Sequence, residues 1–98
     1  MYRIVYTKQA VKDIKKLKAS GLSAKAKELI EVIREDPFKN PPPYEGLVGN
    51  LDGFYSRRIN IKHRLVYQVY ADNIEIDGME YEGTVKIVRM WTHYEAMR

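Results

Sequence analysis

"NLDGFYSRRINIKHRLVYQV", residues 50–69, holds two runs of alternating character, FYSRRI and RLVYQV, on either side of the polar stretch NIKH. A period of two sends successive side chains to opposite faces of a strand, and two such runs joined by a short polar turn read as a β-hairpin. In the second run Arg64, Val66 and Gln68 share one face, and Leu65, Tyr67 and Val69 share the other. Positive charge also gathers here, at Arg57, Arg58, Lys62 and Arg64, with His63 among them.

Upstream of the hairpin the period changes. Tyr2 to Tyr6 is short, aromatic and β-branched, which suits an opening strand. Thr7 is placed to cap a helix whose apolar residues Ala10, Val11, Ile14 and Leu17 recur at three- and four-residue spacing, with lysines on the other side. Gly21 ends that helix and Ser23 is expected to cap a second, with its stripe at Ala26, Leu29, Ile30 and Ile33 and its end at Asp36, before Pro37. A long loop rich in proline and glycine, "DPFKNPPPYEGLVGNLDGF", then leads into the hairpin, and loops of this length in small domains are often functional.

Downstream, "DNIEIDGMEYEG" contains Asp77-Gly78, a tight-turn pair, and the final strand is TVKIVRMW. The expected fold is α+β: an N-terminal strand, a two-helix hairpin, then a largely antiparallel sheet of three or more further strands, with residues 1–98 as a single domain. The helices should cover the face carrying Leu65, and the set Val88, Met90 and Thr92 should join it. Arg64 and His93 then fall on the open face. For Tyr94 to reach the same place as His93, the strand has to end or bulge near Thr92.

A chain of 98 residues buries roughly 60 to 70% of the surface its unfolded form exposes, enough for one core. The absence of cysteine rules out disulfides and thiolate metal sites. No segment has the length and apolarity of a signal peptide or a membrane span, so a cytoplasmic protein without membrane association is expected. Seventeen Lys and Arg against thirteen Asp and Glu give a net charge of +4, which favours polyanionic partners but equally describes a solvated basic surface.

Several chemistries lack their residues. His63 and His93 stand thirty positions apart with no metal-ligand spacing, no glycine-rich phosphate loop is present, and Ser20, Ser23 and Ser56 lie in no nucleophile elbow. No metal site and no cofactor are expected. Acid-base cleavage of RNA remains, because the 2′-hydroxyl is itself the nucleophile and the protein need only add a base, an acid and positive charge. Glu45 suits the base, Arg64 the phosphate-holding charge with Arg58 beside it, and His93 the acid, while Trp91 and Tyr94 suit stacking on an unpaired base. Taken singly, each has a plainer reading as a loop acid, an edge charge or an aromatic plug, and the residues alone stop at a basic α+β domain.

The segment quoted at the outset, followed by a strand that ends in "THY", resembles the YoeB/Txe branch of the RelE-like bacterial toxins. The glycine-aromatic-Ser-Arg-Arg-Ile segment, "HRLVY", the "DPF" after the second helix and a glutamate in the preceding loop carry the likeness together. The resemblance implies the toxin half of a toxin-antitoxin pair, a ribosome-dependent endonuclease acting on mRNA in the ribosomal A site. It implies Glu45 as general base, Arg64 as phosphate-stabilising arginine, His93 as general acid and Tyr94 as a terminal active-site tyrosine. Arg57, Arg58, Lys62, His63 and Trp91 are expected to bind RNA or support the site. A YefM/Axe-like antitoxin with an acidic segment is the expected partner, and relatives form homodimers. The alternative is a non-catalytic RelE/ParE-like module that inhibits the ribosome or another target by occupancy.

Overall fold

The structure is a computed structural model that describes residues 1–92, the side chain of Thr92 excepted. β1 (Arg3–Tyr6) leads into α1 (Lys8–Ala19) and α2 (Ser23–Glu35). The loop that follows contains the two-residue β2 (Glu45–Gly46) and a 3-10 turn over Gly49–Leu51. Then come β3 (Phe54–Arg58), β4 (Arg64–Tyr70), β5 (Ile74–Ile76), β6 (Met79–Tyr81) and β7 (Thr84–Thr92). Five strands form one sheet in the order β1-β7-β4-β3-β2, in which only β1 and β7 run parallel. The expected order of strand, helical hairpin and mostly antiparallel sheet is the one observed. No helix among the described residues is long and apolar enough to cross a membrane.

Local chemistry explains the helix ends. The Thr7 hydroxyl accepts from the Ala10 N–H at 3.0 Å, which starts α1. At the other end the Leu22 N–H reaches the Leu17 carbonyl at 2.9 Å and the Gly21 N–H reaches Lys18 at 3.2 Å, with Gly21 at φ 73°. Only a residue without Cβ takes that left-handed corner cheaply. Ser23 is not the expected cap of α2: Leu22 occupies that position with no side-chain hydrogen bond, and Ser23 is the first helical residue. The reason is packing, since Leu22 lies against the core while closing the preceding turn.

The main core lies between the helices and one face of the sheet, where Leu17, Leu29, Ile33, Leu65, Tyr67, Val85, Ile87 and Met90 are buried. Val11, read from spacing as part of this stripe, is instead 49% exposed. The opposite face is not bare either: Val66 is buried there beneath Leu47 and Leu51, with Phe54 packed alongside. The Asp72 to Gly83 connection folds back on itself as a separate two-stranded sheet of β5 and β6, turning at Asp77 (φ 50°) and Gly78 (φ 81°). It does not lengthen the β4–β7 pairing.

The β4–β7 register departs from simple alternation. Tyr67 lies opposite Ile87, Val66 opposite Arg89, and Arg64 opposite Thr92, so three steps along β4 meet five along β7. Two residues are therefore bulged into β7. The first bulge reverses the side-chain phase, which is why Val85 and Ile87 share the helix-side core with Met90 while Val88 does not. The expectation that Val88, Met90 and Thr92 form one helix-facing set is corrected accordingly. One of the two irregularities lies between Arg89 and Thr92, close to the expected place, and the other lies earlier, between Ile87 and Arg89.

A bulge leaves backbone groups without ladder partners, and buried ones must be satisfied. The Thr7 hydroxyl donates to the Val88 carbonyl at 2.7 Å, and the Thr7 N–H reaches the Ile87 carbonyl at 3.0 Å. The Met90 N–H donates to Asp13 Oδ2 at 2.9 Å, and Arg89 Nε reaches the same oxygen at 3.1 Å. Gln9 holds the other carboxylate oxygen at 3.0 Å. Burial by itself raises the Asp13 pKa, but the Met90 N–H, the Gln9 amide and the Arg89 guanidinium outweigh it and hold the carboxyl below the usual carboxylate range.

A depressed native pKa stabilises the fold above the unfolded value of about 3.9 and stops doing so as pH falls through the native value. Asp13→Asn should therefore cost about 1.5–3 kcal/mol at pH 7, the worth of hydrogen bonds to a charged group. Urea titrations should show the gap between wild type and variant holding constant above about pH 5 and narrowing below about pH 4. A gap that does not vary with pH would contradict this role for Asp13.

Candidate active site

Glu45 and Arg64 meet on the face of the sheet away from the helices. The register builds this directly: Glu45 lies opposite Ser56 on β3, Ser56 opposite Val66 on β4, and Arg58 opposite Arg64. Residues paired across strands share a face, so Glu45, Ser56, Arg58 and Arg64 all project to one side. Arg64 Nη1 lies 2.9 Å from Glu45 Oε1 and 2.9 Å from the buried Ser56 hydroxyl. The serine was not anticipated as part of the site, although alternation along FYSRR places it on the Arg64 face.

This pair contributes little to folding. The Arg64 and Glu45 side chains are 20% and 46% exposed, and ion pairs of that exposure are generally worth about 0–1 kcal/mol. Arg58 is exposed beside Arg64 and has no carboxylate partner among the described residues. Two guanidinium groups directly across a strand pair repel one another, and an anion placed between them would relieve that cost.

The other residues expected to face RNA divide in two. Lys62 is exposed in the β3–β4 turn, where the Asn60 side chain accepts from the N–H groups of Lys62 and His63 at 2.9 and 2.7 Å. The His63 ring lies on Trp91, centroids 3.8 Å apart and planes within 17°, and Trp91 also packs against the main core. Trp91 thus spends ring surface within the protein, where sequence suggested a platform for a base. Thr92 is the Cα partner of Arg64. His93 and Tyr94 lie outside the described residues.

Arg57, expected among the RNA-facing residues, is fully buried. Its partner across the sheet is Leu65, so it projects to the helix side, opposite to Arg58. The guanidinium donates to the carbonyls of Pro37 (2.9 Å), Lys39 (2.9 Å) and Pro42 (2.6 Å) and to the Tyr67 hydroxyl (3.2 Å). Its centre lies 5.2 Å from the Tyr44 ring centroid, and the Tyr67 hydroxyl donates to Pro37 at 2.7 Å. Burial pushes the Tyr67 hydroxyl up to about 12, with the nearby Arg57 charge opposing part of the rise. It remains a donor through the neutral range.

The open face thus presents an ion-paired glutamate and arginine beside an arginine with no carboxylate partner among the described residues, an arrangement suited to binding an anion. Residues 6–94 match the family described as YoeB-like toxin of bacterial type II toxin-antitoxin system, and the chain belongs to that family. It is 46% identical over 57 residues to Toxin YoeB of Escherichia coli K12, covering 58% of this chain and 68% of that one. Toxin YoeB of Streptomyces coelicolor is 45% identical over 53 residues, covering 54% and 63%. Among solved structures, the YoeB-YefM complex from Staphylococcus aureus superimposes with a TM-score of 0.70 at 32% identity, over 96% of this chain and 99% of that one. A YoeB/ParE toxin from Agrobacterium tumefaciens shares the fold, with a TM-score of 0.77 at 24% identity over 94% and 99% of the two chains.

If the Glu45–Arg64 pair is kept for chemistry and not for folding, Glu45→Gln should change the unfolding free energy by less than about 1 kcal/mol. Equilibrium urea unfolding measures this, and a loss above about 2 kcal/mol would place Glu45 in the structural scaffold.

Proposed function

We propose that this toxin is an endoribonuclease that cuts messenger RNA in the ribosomal A site. The observation that carries the reading is the 2.9 Å contact of Glu45 with Arg64 on the open face, beside Arg58, which has no carboxylate partner among the described residues. A carboxylate and a guanidinium so placed can share one phosphodiester. Glu45 removes the 2′-hydroxyl proton, and the 2′-oxygen attacks phosphorus. Arg64, with Arg58 beside it, holds the charge that builds on the phosphoryl oxygens. His93 protonates the departing 5′-oxygen, so the P–O5′ bond breaks to leave a 2′,3′-cyclic phosphate and a 5′-hydroxyl.

The role of His93 rests on its place one residue beyond Thr92, which the sheet sets opposite Arg64, and on the imidazole's capacity to give up a proton near neutral pH. Tyr94 is assigned to the same site on the family pattern. Lys62 adds charge at the β3–β4 turn for RNA or ribosome. By analogy with the staphylococcal YoeB-YefM complex and YoeB dimer, the partners are an antitoxin of the YefM kind and a second copy of the chain. An acidic antitoxin segment suits the Arg58 and Arg64 face by charge.

The test is to incubate the protein with programmed ribosomes and with free mRNA and to map the 3′ ends. Cuts on the ribosome alone are expected. His93→Ala should slow the single-turnover cleavage step by about 10² to 10⁴ while leaving ribosome association intact. Unchanged cleavage by His93→Ala would remove that residue from the acid's role, and growth arrest that survives a Glu45→Ala, His93→Ala double change would instead support inhibition by occupancy.

A further inference from the structure

We infer that Arg57 is a positioning residue for Glu45, holding the proline-rich loop that delivers the base; the inference deepens the nuclease reading and rests on it. After α2 the chain runs along the helix side of the sheet, where the Pro37, Lys39 and Pro42 carbonyls meet Arg57. At Glu45 it joins the sheet as its edge strand, pairs with Ser56 and turns the glutamate side chain to the opposite face. Residues 37–43 contain four prolines, which have carbonyl acceptors but no N–H donors. The loop therefore cannot satisfy its own carbonyls through a backbone ladder. A guanidinium has five donors and no acceptor, so it is the complement of such a loop.

Beyond Glu45, the anchors are of another kind. The Leu47 N–H reaches the Phe54 carbonyl at 2.9 Å, and the Leu47 side chain is buried with Leu51 and Val66. Glu45 thus sits between an apolar anchor and a guanidinium anchor, with only a two-residue strand of its own. Neighbouring residues of β3 divide the work. Ser56 faces Glu45 and receives Arg64, while Arg57 ties down the loop on the other side of the sheet. Being fully buried, Arg57 cannot act by touching RNA. Lysine keeps the charge but offers donors from a single nitrogen, which cannot span all four acceptors.

Arg57→Lys and Tyr67→Phe, the latter removing a hydroxyl that serves both Arg57 and Pro37, should be compared with wild type in two assays. In single-turnover cleavage on programmed ribosomes, Arg57→Lys should lower the rate constant by about 10²-fold with half-saturation within about twofold, and Tyr67→Phe should fall in the same direction by less. In the free protein, the Arg64 guanidinium NMR signals should lose their dispersion in both variants as the Glu45 contact loosens. Folded variants with wild-type rate constants and unchanged Arg64 signals would overturn the inference, and Tyr67→Phe decides it if Arg57→Lys does not fold. A wild-type protein that cuts nothing sinks the nuclease reading and leaves the NMR comparison to judge this one. A matched weakening of half-saturation with no change in the rate constant would also refute it, because a base out of position slows chemistry and not binding.

Discussion

The pairing of β4 with the bulged β7 is the constraint on which the rest depends. Two extra residues in β7 carry Thr92, where an unbroken ladder would carry Met90, to the position opposite Arg64. That displacement is stable only because α1 supplies partners for the groups it strands: the Thr7 hydroxyl for Val88, and the buried Asp13 carboxylate for Met90. The first two turns of α1 thus serve both to start the helix and to lock β7 between β1 and β4. The same bulges put Met90 and Trp91 both against the core near Leu65, and Trp91 in turn supports the His63 ring at the β3–β4 turn.

Charge is handled differently on the two sides of the sheet. On the helix side, Arg57 is enclosed and its charge is met by carbonyl dipoles and an aromatic face, an arrangement that fixes a loop poor in donors. On the open face Arg58 and Arg64 stand together, with one half-exposed glutamate as the nearby counter-charge. Such a surface gains little stability from its ion pair. It is suited to an anion that arrives from outside, and the preorganised Ser56–Arg64–Glu45 chain lowers the reorganisation needed when one does.

Much of the fold was legible because its signals are local. The spacing of Ala10, Leu17, Ala26, Leu29 and Ile33 marks the buried helix faces, and the alternation in β4 assigns Leu65 and Tyr67 to the core. Asp13 was not singled out, although three- and four-residue spacing from Ala10 and Leu17 puts it on the buried face, because two of its three donors, Arg89 and the Met90 N–H, come from residues more than seventy-five positions away. The phase error at Val88 has the same origin: a period of two cannot reveal a bulge whose cost is met by another element. Of the candidate site, chemistry and family pattern named Glu45 and Arg64, and the register brings those two side chains together. Arg57 was grouped with Arg58 because they are adjacent in sequence, whereas adjacent strand residues face opposite ways, and that rule separates them without a structure.

The central claim is that the substrate supplies the nucleophile and this face supplies only proton transfer and charge. Replacing the ribose at the mapped cut site of a programmed mRNA with 2′-deoxyribose tests it most directly. The account predicts that cleavage at that linkage stops while the toxin still binds the ribosome, and that the all-ribose substrate ends in a 2′,3′-cyclic phosphate. Continued cutting at the deoxy linkage would mean that a water or protein nucleophile attacks phosphorus, and the assignment of Glu45 as the group that activates the 2′-hydroxyl would be wrong.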